Sequence, residues 1–263
     1  MELGLNGRKA IISGANRGIG RTIAQFFARE GVHVALLGRN EPACQALARE
    51  ISSAHRDVKA VAVRVDLEQP ETIAPAVEKA VGALGGIDIL VNCAGGAYRG
   101  GLTDIPDEMW DRYFRVKPLG LMRMTRAAVP HLKKSSQGRV INISGTRGRE
   151  PEAHSMMSGP INFGTLSLTK AMANELGKFG ITVNAIAPGS TRTRRWDELV
   201  GITARERKLT PEQAEAHLLQ EVPLGKVIEP EDVADLAVFL ASARSRLISG
   251  TAINVDGGRT RSI

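Results

Sequence analysis

The chain has 263 residues, 43% of them hydrophobic and 4% aromatic, and its formal net charge at pH 7 is +7. This length and apolar content suffice for a large buried core. The positive charge would suit nucleic acid, but so few aromatic residues cannot form a base-stacking platform. We therefore predict no nucleic-acid partner and favour a small anionic molecule as the partner instead.

Cysteine usage and hydropathy predict a cytoplasmic protein. Cys44 and Cys93 lie far apart, and no closely spaced Cys or His residues indicate a metal site. No run of about 18 apolar residues predicts a membrane span, and the N-terminal "MELGLNGRKAIISG" lacks the apolar stretch of a signal peptide. We expect neither secretion, nor a membrane partner, nor a metal.

Seven short β-branched segments predict strands, and most are separated by segments with one apolar helical face. This alternation is typical of a parallel sheet with helices on both faces. No linker or repeat interrupts it, so the pattern predicts one doubly wound, Rossmann-like α/β domain over residues 1–263. The predicted strands are 9–13, 32–37, 58–65, 87–92, 139–144, 181–187 and 251–255.

The stretch 191–222 is longer than a connection in such a domain needs. It contains two helical patterns, "RWDELVG" and "PEQAEAHLLQ", and we interpret it as a lid over a substrate site. Its basic runs "RTRRW" and "ARERK" could bind an anionic substrate such as a coenzyme A thioester. A solvated helix face with mixed charges is the simpler explanation.

A glycine cluster follows the first predicted strand. In "SGANRGIG" (13–20), Gly14, Gly18 and Gly20 open the first predicted helix. Glycines let the backbone approach a pyrophosphate, which then lies at the positive helix N-terminus. Between a strand and a helix in a chain of βαβ units, this cluster predicts a dinucleotide site.

The end of the second strand indicates which dinucleotide binds. Proteins that bind NAD usually have a carboxylate there, but "LLGRN" has Gly38 followed by Arg39. Arg17, in the glycine cluster, could contact the same 2′-phosphate. Both arginines could instead be solvated surface charges. Two cations together with a missing acid favour NADP(H).

These motifs together resemble the short-chain dehydrogenase/reductase family over nearly the whole chain. "SGANRGIG" is similar to the family's T-G-x-x-x-G-x-G, "VDL" (65–67) to its adenine-contacting segment, and "NCAG" (92–95) to N-N-A-G, whose Asn stabilises the central sheet. "GITVNAIAPGSTRT" (180–193) and "VDGG" (255–258) are similar to its last two strand segments. The resemblance implies a homodimer or homotetramer. It also implies a cofactor site of Gly14, Asn16, Arg17, Gly18, Ile19, Gly20, Arg39, Asp66, Leu67, Asn92, Ala94, Gly95, Asn162, Pro188, Gly189, Thr191 and Thr193.

The family's catalytic Asn, Ser, Tyr and Lys are all replaced in this alignment. The pattern L-T-K-A-x-A-x-E-L fixes the register, so Ser158 stands at the tyrosine position and Asn162 at the lysine position. Gly145 and Lys117 stand at the Ser and Asn positions. A general acid is worth roughly 10²–10⁴ in rate and an oxyanion donor about 10²–10³. Simple inheritance of the family's ketone reduction is therefore not expected.

Other polar residues could replace the lost groups. We interpret Ser158 as a helix N-cap, and Asn162 as either a ribose ligand or a packed amide. His154 could be an acid near pH 7 or an exposed loop residue. Ser144 adjoins Gly145 but should point to the opposite face. The candidate catalytic residues are Lys117, Ser144, Ser158, Asn162, His154 and Tyr98.

Lys117 and Asn162 look like an exchange of the family's Asn and Lys on facing helices. Lys117 could then hold the ribose, donate a proton or stabilise an enolate, with a pKa lowered by desolvation. It could also extend to solvent. We favour an NADP-dependent oxidoreductase. The alternatives are an enoyl-thioester reductase and an inactive NADP(H)-binding or sensor protein.

Overall fold

The computed structural model describes residues 2–96 and 98–262. Its seven strands form one parallel sheet in the order β3-β2-β1-β4-β5-β6-β7. The predicted strands are confirmed to within two residues at each end. They are β1 Lys9–Ser13, β2 His33–Gly38, β3 Ala60–Arg64, β4 Ile89–Asn92, β5 Arg139–Ile143, β6 Thr182–Pro188 and β7 Ala252–Val255.

Local signals in the sequence explain where several helices begin. The side chain of Asn40 accepts a hydrogen bond from the N–H of Ala43 at 3.1 Å and so caps α2. Thr210 and Gln213 form a capping box at the start of α8. The helices are α1 Gly18–Arg29, α2 Glu41–Ala54, α3 Ile73–Leu84, α4 Asp107–Phe114, α5 Gly120–Leu132, α6 Ser158–Leu176, α7 Arg194–Arg207, α8 Pro211–Leu219 and α9 Pro230–Ala241.

Both faces of the sheet are covered by helices. Neighbouring strand residues point to opposite faces, so Ile12 packs with α1, α2 and α9 while Ile11 packs with α3, α5 and α6. Both side chains are fully buried. The predicted doubly wound, Rossmann-like single domain is therefore confirmed. None of the described helices is long and apolar enough to cross a membrane.

The order of the strands fixes where a ligand can bind. β1 lies between β2 and β4, so the chain connections leave it in opposite directions and a crevice opens at its carboxyl end. There the hydroxyl of Ser13 accepts hydrogen bonds from the N–H groups of Cys93 (3.2 Å) and Ala94 (3.3 Å). These bonds hold the loop after β4 against the end of β1.

The stretch 191–222 folds into α7 and α8, as its two helical patterns predict. The two helices share a small core separate from the sheet. Arg192 anchors the segment through ion pairs with Glu215 and Glu229 at 2.9 and 2.8 Å. The buried residues of this core are Trp196, Val200, Ala214 and Val227.

Candidate active site

A cleft of about 1110 Å³ lies at the carboxyl ends of the strands and is bordered by α7. It brings together most of the residues predicted for the site. Asn92, Asn162 and His154 are not among its lining residues. Predicted residues that do line it are Gly14, Asn16, Arg17, Gly18, Ile19, Gly20, Arg39, Asp66, Leu67, Ala94, Gly95, Tyr98, Lys117, Ser144, Ser158, Pro188, Gly189, Thr191 and Thr193.

The glycine turn, residues Gly14–Gly20, leaves no room for side chains where the strand meets the helix. A Cβ atom on Gly14, whose φ is +70°, would lie 2.8 Å from the backbone of Ala94. A Cβ atom on Gly20 would lie 2.4 Å from the carbonyl oxygen of Gly14. No acidic residue stands in the first turn of α1, so its positive N-terminus is not neutralised there. This cradle fits a dinucleotide pyrophosphate.

Next to the turn, Arg39 is held by a carboxylate that the sequence interpretation overlooked. Its guanidinium donates to Glu68 Oε1 at 2.6 Å, and Arg112 donates to the same oxygen at 3.0 Å. Glu68 follows the end of β3, which neighbours β2, so strand adjacency was the signal that could have identified it. Arg17 is exposed and makes no side-chain bond to the described residues.

Asn92 cross-links the sheet and is not exposed to the cleft. Its amide donates to Thr125 Oγ1 at 3.1 Å and to Asn142 Oδ1 at 2.9 Å. Asn142 in turn donates to Thr169 of α6 at 2.9 Å. This network connects β4 and β5 with helices α5 and α6. The predicted contacts of Asn92 within the sheet are therefore present. Its contact with the cofactor remains a prediction.

Lys117 lies in a π-helical turn, Arg115–Leu119, between α4 and α5. Its side chain is 8% exposed. The ammonium donates to Asn162 Oδ1 at 2.7 Å and to the carbonyl oxygen of Ser144 at 3.0 Å. The structure thus brings together the pair that the alignment suggested had been exchanged. Lys117, Ser144 and Asn162 are called the lysine cluster below.

Burial lowers the pKa of Lys117 to about 8. The positive charge of Arg195 adds to this lowering. Burial also raises the pKa of Cys93 to about 12, so the thiol stays neutral near pH 7. The structure therefore has a buried amine whose charge changes close to physiological pH.

Two glycines make room for the lysine cluster. A Cβ atom on Gly95 would lie 3.0 Å from Cγ and Cδ of Lys117, and one on Gly145 would lie 3.0 Å from Nδ2 of Asn162. Ser144 is not a free catalytic hydroxyl, because it donates to the backbone oxygen of Asn162 at 3.1 Å. The absence of a side chain at position 145 is therefore explained by the Asn162 amide, which packs against Gly145.

Three other candidates have mixed outcomes. The N-cap interpretation of Ser158 is wrong, because Met157 already has helical backbone angles and no side-chain cap bond forms. The Ser158 hydroxyl lines the cleft and makes no hydrogen bond to the described residues. His154 is exposed, and the structure does not bring its ring into the cleft. Tyr98 lines the cleft and is 38% exposed.

Two further residues line the cleft beside Gly96. Tyr113, which no motif indicated for the site, is one of them. Arg195 lies there too, with Nη1 3.0 Å from the position of a Cβ atom on Gly96. It belongs to the basic run "RTRRW", for which binding of an anionic substrate was one of two interpretations. No group of three or more His, Cys, Asp or Glu side chains within residues 2–96 and 98–262 could hold a metal ion.

Comparison with known proteins gives consistent results. Residues 14–260 match the family model described as "Enoyl-(Acyl carrier protein) reductase". The D-beta-hydroxybutyrate dehydrogenase of Cupriavidus necator is 32% identical over 255 residues, which cover 97% of this chain and 98% of that protein. The (2S)-[(R)-hydroxy(phenyl)methyl]succinyl-CoA dehydrogenase subunit BbsD of Thauera aromatica is 33% identical and covers 98% of both.

A solved structure has the same fold along the whole chain. The L-sorbose reductase of Gluconobacter frateurii, in complex with NADPH and L-sorbose, superposes with a TM-score of 0.94. It is 29% identical and covers 100% of both chains.

Proposed function

Because the chain belongs to the short-chain dehydrogenase/reductase family and is an oxidoreductase, we propose that it uses NADP(H), with Lys117 as its proton donor and acceptor. The substrate is a small organic carbonyl compound or the corresponding alcohol. The observation that carries this proposal is the buried Lys117 ammonium, which lines the cleft and is bonded to Asn162 and Ser144. It is a titratable group in the same cleft as Ser158, which stands where the family has its tyrosine acid.

The geometry of the ammonium supports a role in proton transfer. An ammonium group has three N–H donors, and two of those on Lys117 are used by the oxygens of Asn162 and Ser144. The third can donate to a substrate oxygen. After that proton leaves, the neutral amine still has two N–H groups for the same two partners, so the cluster keeps its geometry in both protonation states.

The reaction is balanced by one hydride and one proton. When bound, NADPH supplies the hydride and NADP⁺ accepts it. In reduction, Lys117 donates its proton to the carbonyl oxygen and is reprotonated by solvent. In oxidation, the neutral amine accepts the proton of the substrate hydroxyl. A pKa near 8 allows both directions close to neutral pH.

The preference for NADP(H) is supported by charge at the glycine turn. Arg17 and Arg39 line the cleft, and no acid stands at Gly38, where a Cβ atom would lie 3.2 Å from the Cys44 sulfur. The L-sorbose reductase that matches this chain was solved with NADPH. Glu68 weakens this preference, because it pairs with Arg39 and would compete with the 2′-phosphate for the Arg39 guanidinium.

Replacement of the lysine tests the proposal. Lys117→Met keeps most of the stem and removes the charge, so we expect turnover to fall by about 10²–10⁴ while NADPH affinity changes little. Lys79→Met, an exposed lysine on α3, is the matched control. Loss of NADPH absorbance reports turnover against a panel of ketones, and calorimetry reports binding. Full activity of Lys117→Met, or tight NADPH binding without turnover by the unmodified protein, would overturn the proposal.

An enoyl-thioester reductase is the second candidate, favoured by the description of the matching family model. In that reaction the negative charge develops on a thioester oxygen, which the ammonium of Lys117 could stabilise as an enolate without a tyrosine acid. A panel of enoyl thioesters separates the two candidates. Turnover of enoyl thioesters alone would favour this one.

The state of the enzyme in solution is also part of the proposal. Family resemblance supports a homodimer or homotetramer in the cytoplasm. Light scattering after gel filtration tests the assembly, and a monomer at micromolar concentration would contradict it.

A further inference from the structure

Basic side chains outnumber acidic ones in the lining of the cleft. Among the described lining residues, Glu68 pairs with Arg39 and Arg112, and Glu198 pairs with Arg194 at 3.2 Å. Two of the three acidic residues of the lining are therefore already paired. The basic lining residues are Arg17, Arg39, Arg99, Arg112, Lys117, Arg194 and Arg195, and the acidic ones are Asp66, Glu68 and Glu198.

The start of α7 spans the distance between the glycine turn and the lysine cluster. Thr193 contacts the turn, because its Cγ2 lies 3.3 Å from the position of a Cβ atom on Gly18. Arg195, two residues later, packs on Gly96, and the adjoining Gly95 packs on Lys117. Arg195 therefore lies at the lysine end. The lowering of the Lys117 pKa by Arg195 agrees with this placement.

We propose that Arg195 binds an anionic group of the substrate, a carboxylate or a phosphate, while the reacting oxygen lies at Lys117. The proposal rests on the proposed function for the position of the reacting oxygen. A planar guanidinium suits both anions, because it can donate two parallel hydrogen bonds. The bound anion would also oppose the effect of Arg195 on Lys117 and keep the lysine protonated.

Matched substrates and a charge-removing variant test this site. Substrate pairs are a 2-oxo acid with its methyl ester, and dihydroxyacetone phosphate with dihydroxyacetone. For Arg195→Gln we expect kcat/KM to fall at least tenfold on the anionic member of the preferred pair and less than twofold on the neutral member. Arg207→Gln removes an exposed charge from the same helix and is the control. The preferred pair identifies carboxylate or phosphate.

Binding measurements separate this inference from the proposed function. Calorimetry with succinate and with inorganic phosphate on the protein–NADP⁺ complex requires no turnover. At least tenfold weaker binding of one anion by Arg195→Gln, but not by Arg207→Gln, would support the anion site even if no carbonyl compound were reduced. Three results for Arg195→Gln would each overturn the inference. They are an equal fall of kcat/KM on the neutral and anionic substrates, unchanged binding of both anions, and a fall in NADP⁺ affinity as large as the fall in anion affinity.

Discussion

The glycine turn and the lysine cluster line the same cleft, but backbone forms the first and buried side chains form the second. At the turn, a Cβ atom on Gly14 or Gly20 would collide with backbone atoms, so geometry dictates the residue type. At the cluster, Lys117 and Asn162 meet through side-chain bonds that depend on which helix supplies which group. The backbone of the turn is therefore intolerant of substitution, whereas a pair joined by side-chain bonds can be built from other residue types.

Charge is also handled differently at the two ends. At the glycine turn, positive charge comes from the N-terminus of α1 and from the exposed Arg17. Dissolved salt screens both of these charges. The cluster holds its charge in a buried position, where pH rather than salt decides the protonation state of Lys117. The two ends should therefore respond to different solution conditions.

The largest expected effect is a pH dependence confined to the lysine end. Reduction needs the ammonium form of Lys117, which is present below its pKa of about 8 and lost above it. Well above pH 8, kcat/KM for reduction should therefore fall about tenfold per pH unit, and oxidation should gain. Cys93 remains a thiol throughout this range, because burial raises its pKa to about 12. Steady-state rates from pH 6 to pH 10 measure the profile, and a reduction rate that rises through pH 8 would contradict the assignment.

A second prediction concerns the backbone of the turn. Gly20→Ala places a Cβ atom 2.4 Å from the Gly14 oxygen, so the turn must shift. Overpacking of about 1–3 kcal/mol should raise the NADPH dissociation constant about 5- to 150-fold. Gly82→Ala, inside α3 with no atom within 4 Å of its Cβ, should instead stabilise the fold by about 0.5–1 kcal/mol. Calorimetry and thermal unfolding test the pair. Unchanged affinity of Gly20→Ala would show that the turn is not the cradle.

The smallest effect is expected at the edge of the turn. Arg39→Ala removes a charge-assisted contact to the 2′-phosphate worth about 1.5–3 kcal/mol, reduced by the exposed Glu68 pair worth about 0.2–1 kcal/mol. We expect about tenfold weaker NADPH binding and unchanged NADH binding. Arg56→Ala, an exposed arginine after α2, is the control. If Arg39→Ala weakens both dinucleotides alike, the NADP(H) assignment is wrong.

Prediction from sequence succeeds here where local patterns decide the structure. The strands follow β-branched runs, and the meeting of Lys117 with Asn162 follows from the alignment of α6. The π-helical turn at Arg115–Leu119 could not be predicted, because it differs from an α-helix only in which carbonyl each N–H contacts.

The misjudged residues share a different cause. Ser158 has the right residue type for an N-cap, but the chain enters α6 already helical at Met157. Glu68 acts on a neighbour distant in the chain, and only the packed fold brings the two within reach. Patterns along the sequence carry little information about such contacts.

The contact between Gly145 and Asn162 also has an evolutionary consequence. Serine at 145 would place its Cβ atom 3.0 Å from the Asn162 amide, and lysine at 162 would set a second ammonium against Lys117. Each of these two single steps towards the family's usual residues therefore crowds or repels the residue already present at the other position. Epistasis of this kind makes the arrangement hard to reverse by point mutations, so a lineage that carries it inherits these positions as a unit.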